Sequence, residues 1–177
     1  MTIPPVKDLN PQVVRRLSRI KAFLLDVDGV LTDSSAAITE DGIEDRVFTI
    51  MDADSIRTAQ RMGIRIGLIT SYASDLVISR ARELGIQDIY HGMFDKNEAY
   101  REFKALYELD DESIAYMGDG ILDVSVLKSV GFAATPSNAH VSAKMAAHYI
   151  SRYRGGYGAV REVLTMLIRV QAGDDEA

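Results

Sequence analysis

The sequence predicts an α/β fold: a Rossmann-like three-layer sandwich on a mostly parallel sheet, with a β-hairpin near its start. Three observations predict it. Short apolar runs alternate with helical segments of roughly 10 to 15 residues, the pattern of βαβ units. Several of those runs break off at a polar residue, as strands do where a ligand binds beyond a parallel sheet. A chain of 177 residues without repeats or low-complexity linkers suits one domain, residues 1–177, better than two.

The elements follow in order. "NPQVVRRLSRI" starts a helix, with Asn10 as cap and Pro11 at the first helical position. "AFLLDV" is a strand. "AAITEDGIEDRVFTI" reads as a hairpin over about 34–50, turning at Asp41-Gly42. "DADSIRTAQRMG" is a helix closed by Gly63, and the strand "IRIGLIT" follows. "SDLVISRARELG" is a helix closed by Gly85, leading to a short strand near "DIYHG". "DKNEAYREFKALYEL" is helical, "SIAYMG" a strand, "ILDVSVLKSVG" a helix and "FAAT" a strand. A last helix runs through "GAVREVLTMLIRV", and the acidic tail from about 170 to 177 is expected to be flexible. Met62, Met145 and Met166 read as core filler, and His91, His140 and His148 share no metal-ligand spacing.

A net charge of −6 argues against a nucleic-acid or anionic-membrane partner, which normally leaves a basic footprint. The absence of cysteine excludes disulfides, thiolate metal sites and a cysteine nucleophile. No apolar leader and no stretch of about 18 apolar residues is present, so the expected location is cytoplasmic, with no membrane partner.

The chemistry is concentrated where "FLLDVDGVLTD" runs from an apolar strand into Asp26 and Asp28. Burying carboxylates is costly unless something pairs with them. Strand side chains alternate, so Asp26 and Asp28 point one way and Val27 the other. Gly29 leaves room for a close approach. Thr70 ends "IGLIT", Asp119 follows "IAYMG", and Asp123 lies four residues on, on the same helical face. Carboxylates about 4 Å apart repel by ~4 kcal/mol at an effective dielectric near 20, so a cation is required. Oxygen ligands without His or Cys point to Mg²⁺, and Lys96 supplies a second positive charge. Metal, lysine, hydroxyl and a carboxylate pair fit phosphoryl transfer, one carboxylate attacking and the other moving protons. Taken singly, Thr70 is a strand-end hydroxyl and Lys96 a solvated lysine; the constellation carries the functional reading.

These residues also carry a resemblance. "DVDGVLTD", "LIT", "DK" and "GDGILD" together resemble the four motifs of the haloacid dehalogenase-like phosphohydrolases. The resemblance implies Asp26 as nucleophile, Asp28 as general acid/base, and Thr70 and Lys96 as phosphoryl ligands. It implies Mg²⁺ held by Asp26, the Asp28 carbonyl, Asp119 and Asp123. From about Lys21 to Ile168, "SRARELGI", "GMFDK" and "RGGYGAVRE" look like the 3-deoxy-D-manno-octulosonate 8-phosphate phosphatases of lipopolysaccharide biosynthesis. That likeness implies a hairpin in place of a cap domain, an acidic sugar phosphate as substrate, and a homotetramer whose neighbouring subunits partly close each site. It also implies that the C-terminal segment, with Arg161, reaches a neighbouring subunit's site and contacts substrate there.

Three departures stand out. Relatives usually read Asp-Gly-x-Gly where this chain has Asp52-Ala53-Asp54-Ser55, and Thr-Gly-Arg where it has Thr70-Ser71-Tyr72. Gly120 replaces the second aspartate of a common Gly-Asp-Asp. The first two flank the expected substrate opening, which keeps a nonulosonate 9-phosphate open as substrate, and also a weakly active assembly module. A phosphoacceptor receiver fits less well, because there the acid pair precedes the acceptor aspartate, whereas here Asp26 precedes everything.

Overall fold

The structure, a computed structural model, describes residues 3–35, 37–38, 44–45, 48, 50–72 and 75–173. Among these, six strands form one parallel sheet: β1 (Ala22–Leu25), β4 (Arg65–Ile69), β5 (Asp88–Tyr90), β6 (Ile114–Met117), β7 (Phe132–Thr135) and β8 (Tyr149–Ile150). Their order across the sheet is β5-β4-β1-β6-β7-β8, every pairing parallel. β2 (Ala37–Ile38) and β3 (Glu44–Asp45) pair antiparallel as a separate ribbon, the expected hairpin. Its expected turn, Asp41-Gly42, lies outside the described residues.

Period-two alternation divides the core between two layers. Phe23 and Leu25 of β1 face α1 (Pro11–Leu17), α2 (Ile50–Arg61), α3 (Asp75–Glu83) and α7 (Ala159–Ala172). Ala22 and Leu24 face α4 (Lys96–Leu106), α5 (Val124–Ser129) and α6 (Val141–Ala146). Central strands buried on both faces need continuous apolar runs, and β1, β6 and β7 are buried at every residue.

The local signals act as expected at several boundaries. The Asn10 side chain accepts the Gln12 N–H at 2.8 Å and caps α1. Gly63 and Gly85 adopt φ of +88° and +76° where α2 and α3 end. Other expectations need correction. α7 continues to Ala172 with Gly173 as its left-handed cap, so residues 170–172, expected in the tail, are helical. Met145 is 83% exposed and Met62 42%, and of the three methionines only Met166 fills the core. Neither α6 nor β8 was expected. α6 is short and capped by His140, whose Nδ1 accepts the Ser142 N–H, while His148 Nδ1 accepts the Ala133 N–H beside β7.

Candidate active site

β1 delivers Asp26 to the C-terminal edge of the sheet, 6% exposed, with its N–H still in the ladder to the Met117 carbonyl (2.9 Å). One carboxylate oxygen accepts the Val27 N–H at 2.7 Å, and the other meets Lys96 Nζ at 2.8 Å. Lys96 is the first residue of α4, and Asp95 caps that helix. The buried ammonium also donates to Asp123 Oδ1 at 2.6 Å. Burial lowers the lysine's affinity for its proton, but Asp26 and Asp123 outweigh it and hold the pKa above the ordinary value.

Asp123 lies in a single 3-10 turn, Ile121–Asp123, ahead of α5. There it folds back on its own loop. Its Oδ2 accepts the N–H groups of Asp119 (3.0 Å) and Gly120 (2.8 Å), while Oδ1 accepts the Tyr116 hydroxyl as well as Lys96. Gly118 permits this, because a Cβ there would come within 2.4 Å of the Asp123 carboxyl carbon. Sequence reasoning missed Tyr116. Its one signal is a phenol in a fully buried strand, which needs a hydrogen-bond partner.

One oxygen from each of Asp26, Asp119 and Asp123 lies within 4.8 Å of the others, which a single divalent ion spans. Burial and then the Asp123 charge push Asp26 up to about 8, with Lys96 opposing them. The same two causes push Asp119 up to about 6. Carboxylates that resist ionisation at such a short separation call for a cation, and their all-oxygen donor set fits Mg²⁺. The Asp28 carboxylate is not in this cluster. It is half-buried, accepts the Thr32 hydroxyl at 3.4 Å and lines the adjoining cavity.

That cavity, about 270 Å³, has Asp26, Asp28, Lys96 and Thr70 toward its base, with Ser71, Tyr72, Ile121 and Leu122 also in its lining. Thr70 is buried and pinned by main-chain bonds, its N–H to the Tyr90 carbonyl (2.8 Å) and its carbonyl from the Met93 N–H (3.1 Å). Arg161 is elsewhere. Its N–H donates to Asp52 Oδ1 at 2.8 Å, and it lines a separate groove with Asp54, Ser55 and Thr58. It does not line its own chain's cavity, and the contact expected of it is with a neighbouring subunit's site.

The "RGGYGAVRE" segment does something sequence reasoning missed. The Gly156 N–H donates to the Val30 carbonyl (2.9 Å), and the Gly155 N–H to Asn138 Oδ1 (2.9 Å). A Cβ on Gly155 would sit 1.7 Å from the Gly29 carbonyl oxygen. Gly29, at φ +85°, is itself so close to Asp119 that a Cβ would meet its carboxylate at 2.1 Å. Behind this stack, fully buried Glu162 accepts the Ser151 hydroxyl (2.6 Å) and pairs with Arg152 Nε (2.7 Å). The segment braces the Asp26–Asp28 loop of its own chain.

A parallel sheet with carboxylates, a lysine and a hydroxyl at its C-terminal edge is the frame of a phosphoryl-transfer hydrolase, and the chain belongs to the haloacid dehalogenase-like hydrolases. The model of that family matches residues 67–164. The chain is 35% identical to the 3-deoxy-D-manno-octulosonate 8-phosphate phosphatase of Yersinia pestis, over 94% of this chain and 88% of that one. The crystal structure of a phosphatase of that name from Yersinia pestis superposes with a TM-score of 0.91, at 34% identity, over 93% of this chain and 89% of the other. The Moraxella catarrhalis phosphatase, solved with magnesium, phosphate and KDO, superposes with a TM-score of 0.90 at 30% identity, over 93% and 94% of the two chains. Among the described residues, no helix is long and apolar enough to cross a membrane.

Proposed function

We propose that this chain is a Mg²⁺-dependent phosphatase acting as a single capless domain on an acidic sugar phosphate, 3-deoxy-D-manno-octulosonate 8-phosphate first among candidates. One observation carries the reading: Lys96 Nζ lies between Asp26 (2.8 Å) and Asp123 (2.6 Å), with Asp119 within an ion's span of both carboxylates.

In this reading an Asp26 oxygen attacks phosphorus in line as the bond to the sugar oxygen breaks, leaving an aspartyl phosphate and a sugar alcohol. Asp28 gives the departing oxygen its proton, then takes one from the water that attacks the phosphorus and frees Asp26 and phosphate. Thr70 and Lys96 hold the phosphoryl oxygens. Asp26, Asp119 and Asp123, with the Asp28 carbonyl, hold Mg²⁺, which when bound supplies positive charge opposite the developing phosphoryl charge. The relatives' names and the magnesium, phosphate and KDO of the Moraxella structure support this substrate class. Assembly as a homotetramer belongs to the same proposal.

A second substrate has an observation in its favour. Ser71 and Tyr72, where the chain departs from the usual Thr-Gly-Arg, line the cavity, so the departure faces the substrate. A nonulosonate 9-phosphate is therefore the alternative. Phosphate release measured across both acidic sugars and simple sugar phosphates separates them. The expected result is Mg²⁺-dependent turnover of an octulosonate 8-phosphate, lost by about 10⁴-fold or more in Asp26→Asn. Turnover that survives Asp26→Asn refutes the mechanism, and preference for the nonulosonate ester reassigns the substrate.

A further inference from the structure

We infer that the opposite edge of the sheet carries a binding site for a small polyanion, in a cavity lined by Arg15, Arg16 and Arg19. This inference is independent of the proposed reaction. The cavity, about 320 Å³, opens between the second half of α1, the Glu112 turn that leads into β6, and Gly131 ahead of β7. All three elements lie at strand N-terminal ends, so the length of the sheet separates the cavity from Asp26 and Asp119.

The arginines are disposed for an occupant. Arg16 Nη1 donates to the Gly131 carbonyl at 2.6 Å, which fixes one guanidinium at the wall. Arg15 and Arg19 are exposed and, among the described residues, make no ion pair, although acidic residues outnumber basic ones by six in this chain. Glu112 is the one acidic side chain in the lining, which leaves a surplus of two positive charges. Basic residues are favoured near a helix C-terminus, which accounts for Arg15 and Arg16 in the last turn of α1. It does not account for Arg19, which lies beyond the Ser18 cap and yet converges on the same space. Arg15 and Arg19, one turn apart, repel one another mildly until an anion sits between them.

Guanidinium groups present paired donors that match phosphate and carboxylate oxygens. The volume lies at the lower end of the ~300–1,000 Å³ range of small-molecule sites. A net charge of −6 disfavours nucleic acid. The occupant that fits is a compact phosphorylated metabolite with two anionic groups.

Methylenediphosphonate is a suitable probe, because its P–C–P bridge has no ester to hydrolyse. It is titrated calorimetrically into the full chain with Mg²⁺ held in excess. The double variant Arg15→Gln/Arg19→Gln is expected to weaken binding about tenfold or more while leaving phosphate-ester turnover unchanged. The charge-matched pair Arg82→Gln/Arg101→Gln, on α3 and α4, is expected to bind as the parent does. Absence of millimolar binding by the parent, equal binding by the Arg15/Arg19 variant, or equal loss in the control pair would each overturn the site.

Discussion

The base and the rim of the catalytic cavity are built by different rules. At the base, Asp26, Thr70, Lys96 and Asp123 are all buried, and each is held by at least two hydrogen bonds or ion pairs. At the rim, Tyr72 is 64% exposed, Ile121 65% and Leu122 49%. A fixed base suits a transition state common to all phosphate esters, since preorganised charge acts only where it does not have to move. An open apolar rim leaves the choice of substrate to residues that can change without disturbing that charge.

The comparison is broken most severely by removing the charge that holds the base together. Lys96→Ala leaves Asp26 and Asp123 facing one another with no shared cation, and breaking a buried pair from one side costs about 3–5 kcal/mol. Denaturant unfolding without Mg²⁺ is expected to show a loss of that order, with turnover falling to background. A variant as stable as the parent would mean that the lysine is not what holds Asp26 and Asp123 together at the base.

Gly155→Ala tests whether the brace belongs to the base. A Cβ 1.7 Å from the Gly29 carbonyl forces the Asp26–Asp28 loop or the brace to shift. Overpacking of this kind costs about 1–3 kcal/mol. The expected signature is a drop in kcat larger than the change in KM, since the loop carries Asp26 and Asp28, the carboxylates proposed to react. An unchanged kcat would separate the brace from the chemistry.

Most of the sheet was legible because burial on both faces leaves central strands no alternative to apolar runs. The polar side chains at their ends stood out for the same reason. Asp26, Asp28, Thr70 and Asp119 were found in this way, Asp123 by its four-residue spacing from Asp119 and Lys96 as a second positive charge, and all six line one cavity. What was missed depends on contacts between distant parts of the chain. β8 has two residues and exists as a strand through its pairing with β7. α6 is too short to establish a helical period and is capped by His140 rather than by a commoner cap. The glycines at 155 and 156 announce a loop, but nothing local says that one lies against the Gly29 carbonyl. Arg161 was assigned by its motif to a neighbouring subunit's substrate; within its own chain its N–H is tied to Asp52 and it lines another groove.

Proton linkage sharpens the comparison more gently. Asp26 is pushed up to about 8 and Asp119 to about 6, both above the ordinary 3.8, so without a cation the folded chain holds protons that the unfolded chain has released. Stability then falls as pH rises through that window, because the folded state must ionise buried carboxylates. Mg²⁺ competes with those protons. The melting-temperature rise on adding Mg²⁺ is expected to grow between about pH 6 and about pH 8, the window of the two shifted groups. A rise that is flat or shrinks with pH would place the metal away from these carboxylates.

The smallest expected effect is at the rim, and it decides whether base and rim are separable at all. Tyr72→Arg restores the arginine that relatives usually carry, at a position 64% exposed and joined to the base through its N–H to Thr70 Oγ1 (3.3 Å). That bond uses the main chain and survives the substitution, so Thr70 stays in place. The new guanidinium lies at a solvated opening, where an ion pair with a sugar carboxylate is worth about 1 kcal/mol or less. KM for an octulosonate 8-phosphate is therefore expected to fall by about fivefold or less, with kcat nearly unchanged and simple phosphate esters unaffected. Added salt should erase the gain, because screening acts on exposed charge and spares the buried Asp26–Lys96–Asp123 set. A collapse of kcat in this variant would show that Tyr72 acts on the reacting groups themselves, and the division between a fixed base and a replaceable rim would fail.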